Sequence, residues 1–238
     1  MNDRSVNSYI EEDRVSRKVL YAADLVLVID ATGSMRPVID NVKKLAVGFH
    51  GRIIDDMRKK GKSVDQLRVR LIAFRDYYDK EEGAMVCTPF FKMPEEEDKF
   101  IELIDSIRAT DGGDLPENGL EALVLAIRSP WERRQDFHKF RHSIIVFTDT
   151  SAHPLEHQDK PSFYPKDMPK DLNALTNIWY EEMEPQEAKR LTLLAPDVPP
   201  WNVLAGAWDW TKHRESQAGD GLSEQSLEDI VEAIVNSF

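Results

Sequence analysis

LVLVIDATGSMRPVID, residues 25 to 40, decides the fold. Its first part is an unbroken apolar run, the signature of a strand buried on both faces of a parallel sheet. The run stops on oxygen-bearing side chains, Asp30, Thr32 and Ser34, spaced on alternate residues around a glycine turn, and a helix follows. Two readings fit that transition. Three oxygens can converge on one point, as a hard divalent cation requires. Alternatively, Thr32 or Ser34 simply caps the next helix.

Working outward, Val38, Val42, Leu45, Phe49, Ile53 and Met57 recur at steps of three and four, predicting one long amphipathic helix that ends at GKS, 61 to 63. LRVRLIAF (67 to 74) predicts a second buried strand and AMVCTPFF (84 to 91) an edge strand, because Pro89 lacks an N–H. Helices are expected around Phe100–Ile107 and Leu120–Ile127, and a closing one over SLEDIVEAIV (226 to 235). HSIIVFTDT (142 to 150) and RLTLLAPD (190 to 197) read as strands. Strands alternating with helices predict an α/β fold with a mostly parallel sheet. In such sheets ligands sit beyond the carboxyl ends of the strands, which is where Asp30 and Asp149 fall.

Composition narrows the function. The 238 residues carry a net charge of -12, and the basic stretches are short, which disfavours nucleic acid. Clustered carboxylates instead suit a divalent cation. Cys87 is the single cysteine, consistent with a reducing compartment. No signal-peptide stretch and no spanning apolar run is present, so the expected location is the cytoplasm, without membrane contact. Residues 1–18 read as a polar arm and 19–238 as one domain.

The residues in DATGSM resemble the von Willebrand factor type A domain, whose first strand ends in D-x-(S/T)-x-S, the metal-ion-dependent adhesion site. Asp30, Thr32 and Ser34 match that motif, GGDLPE (112 to 117) resembles the second ligand loop, and Asp149 in VFTDT resembles the third. LIAFRDYYD with GGD-x-PE resembles the intracellular branch of the family. The resemblance implies a Rossmann-like, doubly wound, six-stranded sheet with one antiparallel edge strand and helices on both faces. It also implies Mg²⁺, with Mn²⁺ or Ca²⁺ as substitutes, and an open position for an acidic or polar side chain of a protein partner. The isolated chain is expected to be a monomer and not an enzyme.

The second loop departs from the threonine of integrin-like members and offers Asp114 and Glu117. Asp114 is expected at the metal, directly or through water. D-L-P-E also fits a capping box, with Asp114 as N-cap and Pro116 in the first turn. Three aspartates around one Mg²⁺ leave the site formally negative, which strengthens metal binding and weakens the pull on an acidic partner.

Glu117, Arg75 and His153 are candidates for the ligand rim, with a structural Arg75–Asp76 ion pair as the plainer reading. The pairs His138/His142 and His153/His157 have zinc-like spacing without a cysteine nearby. Trp201, Trp208 and Trp210 are expected in the core. The proline-marked stretch from 150 to about 174 is expected to be a loop that either reads the partner with Phe163 and Tyr164 or covers the sheet. Two rival functions stand beside the binding module. One is an Mg²⁺-dependent aspartyl-phosphate phosphotransferase or phosphatase, whose phosphate-holding cation is hard to find. The other is a structural domain of this type without metal.

Overall fold

The computed structural model describes residues 19–78, 83–110, 116–157, 160–220 and 222–238. The opening run forms β1 (Tyr21–Asp30), buried from Ala22 to its last residue. It lies between β2 (Gln66–Phe74) and β5 (Lys139–Phe147), parallel to both, with Asp30 opposite Phe74 and Ile29 opposite Phe147. β6 (Lys189–Pro196) and β7 (Thr211–Ser216) continue the sheet in parallel. The order is β3-β2-β1-β5-β6-β7, so strand order reverses between β1 and β5. The two site aspartates therefore follow neighbouring strands at the crevice where open α/β sheets bind ligands.

The doubly wound α/β expectation holds, but among the described residues the sheet has seven strands instead of six. The expected edge strand is split into β3 (Met85–Cys87) and β4 (Phe91–Met93), both antiparallel to β2. Pro89 between them cannot donate to the ladder. β7, TKHRES, has no apolar run to announce it.

Side chains alternate across β1. Leu25, Leu27 and Ile29 face the layer built by α1 (Arg36–Ala46), α2 (Phe49–Lys59), α3 (Glu97–Ser106) and α7 (Leu227–Ser237). Val26 and Val28 face α4 (Gly119–Ile127), α5 (Leu172–Glu181) and α6 (Trp201–Ala207). The single long helix expected over 38–57 is two helices, because Gly48 between them takes a left-handed φ of 72° that ordinary residues avoid. The apolar spacing continues through the break, so both halves bury the same stripe. No helix of the described residues is long and apolar enough to cross a membrane.

The stretch after Asp149 folds back over the sheet. Leu155 is fully buried, the Tyr164 hydroxyl donates to Glu121 of α4, and Phe163 and Tyr164 both lie against Tyr77. Of the two roles expected for this loop, covering the core is the one this packing matches.

Candidate metal centre

Asp30 is completely buried at the end of β1. Its Oδ1 accepts from the Thr32 amide at 3.0 Å and from the Thr32 hydroxyl at 2.6 Å. Its Oδ2 accepts from the Thr148 hydroxyl at 2.8 Å, across the β1–β5 boundary. Burial pushes the Asp30 carboxyl up to about 6; the hydrogen bonds from Thr32 and Thr148 oppose this, and the charge of Asp149 adds to it. No Lys, Arg or His of the described residues lies within ion-pair distance of Asp30.

The capping reading of this turn does not hold. Thr32 precedes a short 3-10 turn, Gly33–Met35, but its side chain makes no cap bond and turns back to Asp30. Met35 stands at the start of α1, also without a side-chain cap. Ser34 is exposed on the turn, while Asp149 is buried and Thr150 anchors its amide on the Thr148 hydroxyl at 3.3 Å. Asp30, Thr32, Ser34 and Asp149 thus share one end of the sheet. Asp114 lies outside the described residues.

Of the capping box expected in D-L-P-E, Asp114 lies outside the described residues, and Pro116 and Glu117 are not in the first turn of the helix. α4 begins at Gly119 with Asn118 before it, so Glu117 and Pro116 precede the helix. Glu117 is buried and bridges Ala152 in parallel, tying the second loop to the third, and is no exposed rim residue. Asn118, also buried, accepts from the Tyr77 amide at 2.6 Å and ties the same loop to the end of β2.

Arg75 spends its guanidinium on the carbonyls of Gly83 and Arg108, 2.6 Å each, and Asp76 meets His153 at 3.2 Å instead of Arg75. His153 packs its ring against Tyr78, with centroids 4.8 Å apart. Of the zinc-like pairs, His138 and His142 are held apart: His142 is buried against Trp131 and the Glu132 carbonyl, while His138 is exposed and accepts from the Leu20 amide. His153 and His157 lie together, with ring centroids 5.9 Å apart. Among the described residues no group of three or more His, Cys, Asp or Glu is placed to hold a metal ion. Two aspartates and two hydroxyls remain, a hard-oxygen set suited to Mg²⁺ and poorly suited to a soft metal.

Two supports were not read from the sequence. Thr148 is part of the site through its hydroxyl, and FTD, with a hydroxyl directly before the aspartate, was the available signal. Trp201 is fully buried as expected, and its Nε1 also donates to the Thr150 carbonyl at 2.8 Å, bracing the loop that carries Asp149. A Cβ on Gly119 would come within 2.8 Å of the Trp201 ring, so that close approach requires glycine. Trp208 is buried as expected, but Trp210 is half exposed.

The pilus adhesin SpaC from Lactobacillus rhamnosus GG superposes with a TM-score of 0.54 at 12% identity, covering 92% of this chain and 31% of that one. Its open conformation gives 0.52 at 14% identity, covering 92% and 30%. Proximal thread matrix protein 1 from the mussel byssus gives 0.51 at 12% identity, covering 92% and 48%. The chain thus spans less than half the length of these proteins, and at such identity the likeness concerns the fold. No curated protein sequence matches the chain significantly. A von Willebrand factor A domain model matches residues 24–161, which include Asp30, the second loop and Asp149. The chain belongs to the von Willebrand factor A domain family.

Proposed function

We propose that the carboxyl end of the sheet holds a divalent cation and presents it to a partner protein. Asp30, Thr32, Ser34 and Asp149 would hold the ion, with Asp114 as a further ligand. Mg²⁺ is the proposed metal because hydroxyl, carboxylate and water oxygens match its octahedral demand. When bound, it would supply a Lewis-acidic position for an acidic or polar side chain of the partner.

One observation carries this reading. Asp30 is wholly buried, aligned by two hydroxyls, with Asp149 nearby and no cation of the described residues in ion-pair reach. A buried carboxylate without a counter-charge is costly, and a divalent ion removes that cost. Calorimetric titration of Mg²⁺ into wild type and Asp30→Ala tests it. Binding by wild type alone is expected, and equal or absent binding by both rejects the site. Partner capture from extract should fall on adding chelator.

The reading is of a binding module and not an enzyme. Lys160, the nearest lysine after Asp149 in sequence, lies over the Tyr164 ring, and Lys189 is buried at the opposite end of its strand. Lys189 thus sits at the end of the sheet away from Asp30, which supports the binding reading. Metal-dependent phosphatase turnover lost in Asp30→Asn would reverse this reading. The proposed setting is a single domain over 19–238 in a reducing compartment such as the cytoplasm, where the exposed thiol of Cys87 stays reduced.

A further inference from the structure

The amino end of the sheet is built differently from the end that carries Asp30. A cavity of about 560 Å³ opens there, lined by Tyr21 and Phe140, by Lys62, His138, Lys139 and Arg141, and by one carboxylate residue, Glu187. Burial first, then the charges of Lys60, Arg141, Lys212 and Arg190, hold the Lys62 amine below its ordinary value. On a chain of net charge -12, this is a local positive field. None of Lys62, Lys139, Arg141, Arg190 and Lys212 meets an aspartate or glutamate side chain of the described residues within ion-pair distance.

Part of the cluster has a structural explanation. Lys62 donates to the Val235 carbonyl at 3.1 Å and Arg141 to the Phe238 carbonyl at 3.2 Å, closing the end of α7. That leaves Lys139 and Lys212, both exposed, and Arg190. Arg190 stacks on Trp210 with 4.3 Å between the guanidinium carbon and the ring centroid, and Trp210 is 50% exposed. An exposed Trp–Arg pair is the residue chemistry that dominates binding energy at protein interfaces.

The donors favour one class of ligand. Arg141 commits Nε and Nη1 to backbone carbonyls, and Arg190 commits Nη1 to two more. Neither guanidinium presents its full fork to a phosphate. Diffuse positive charge beside an aromatic anchor fits spaced carboxylates on a peptide better than one compact polyanion. We propose that this face is a second docking surface, which takes an acidic segment of a protein partner with an apolar residue against Trp210. β1 has ten residues, so the surface lies about 30 Å from Asp30 at ~3.3 Å per residue. It works independently of the metal.

The test uses the full chain and a fluorescent glutamate-rich peptide carrying one leucine, read by anisotropy at low salt. Binding is expected, with loss at high salt and no response to chelator or to Asp30→Ala. The double variant Lys139→Gln/Lys212→Gln should bind about tenfold more weakly while its melting temperature is unchanged, since both side chains are exposed. Trp210→Ala should weaken binding of this peptide but not of its leucine-free form. No binding, or equal binding by the double variant, overturns the proposal. So does binding that disappears with chelator, which would place the peptide at the metal site. Displacement by tripolyphosphate far below the concentration at which free glutamate peptide competes would overturn the choice of a peptide. Binding seen only after deletion of residues 1–18, which include Glu11, Glu12 and Asp13, would assign the surface to the chain's own arm and overturn an external partner.

Discussion

Asp30 holds its charge at a cost to the metal-free fold, and the sign of that cost is measurable. Its carboxyl is raised from 3.8 to about 6, chiefly by burial. A carboxyl raised in the folded state adds stability below its unfolded value, and that contribution is lost as pH rises through the folded value. In chelator, wild type should therefore melt higher at pH 5 than at pH 7, to the extent this group governs. Asp30→Asn should lack that dependence and gain about 1–3 kcal/mol at pH 7, because a two-unit shift corresponds to roughly 3 kcal/mol. Mg²⁺ should raise the melting temperature of wild type and leave Asp30→Asn unmoved. A variant less stable than wild type under all these conditions would mean that the aspartate serves packing alone. Ser34, exposed on the turn, predicts a different outcome. Ser34→Ala should lower metal affinity by calorimetry with little change in stability, since exposed substitutions usually stay within about 0.5 kcal/mol.

At the scale of elements, apolar periodicity was legible and backbone breaks were not. The buried runs located β1, β2, β5 and β6, and their carboxyl ends located Asp30 and Asp149, because burial on both faces writes itself as unbroken apolar sequence. Gly48 was invisible because the stripe on α1 resumes in phase on α2. Asp24 was passed over for the opposite reason: a charge inside β1 reads as the strand's outside. It is fully buried because Arg68 forks onto it at 2.7 and 2.6 Å and the Glu132 amide donates to it. Tertiary partners far along the chain cannot be read from local pattern. The covering loop yields a prediction at this scale. Glu121 is buried, one of its oxygens accepts from Tyr164, and the other has no hydrogen-bond partner among the described residues. Tyr164→Phe removes that donor and should destabilise by about 1–3 kcal/mol in urea unfolding. An unaffected midpoint would show that the loop is not held through Glu121.

The whole molecule is fastened differently at its two ends. At the amino end, burial raises the Glu132 carboxyl, but bonds from Gln66 at 2.8 Å and Arg134 at 3.0 Å outweigh it and hold the group down at about 2. A depressed carboxyl contributes stability above its unfolded value, near 4.5, and that stability is lost as pH falls through the folded value. Glu132→Gln should be less stable than wild type at pH 7 by about 1–3 kcal/mol, and the gap should close as pH falls from about 4.5 toward 2. A gap that persists at low pH would trace the loss to packing.

The bond between Thr148 and Asp30 spans 118 residues of chain. β1 sits between two strands that both follow it in sequence, the second beginning only at Lys139. During synthesis, the first residues of the proposed site leave the ribosome long before the last, at about 5–20 residues per second. For several seconds the most apolar strand of the protein has no second neighbour, and Asp30 has no Thr148. A nascent chain halted before residue 148 lacks part of the proposed metal centre, and its open β1 edge is where a chaperone would be needed.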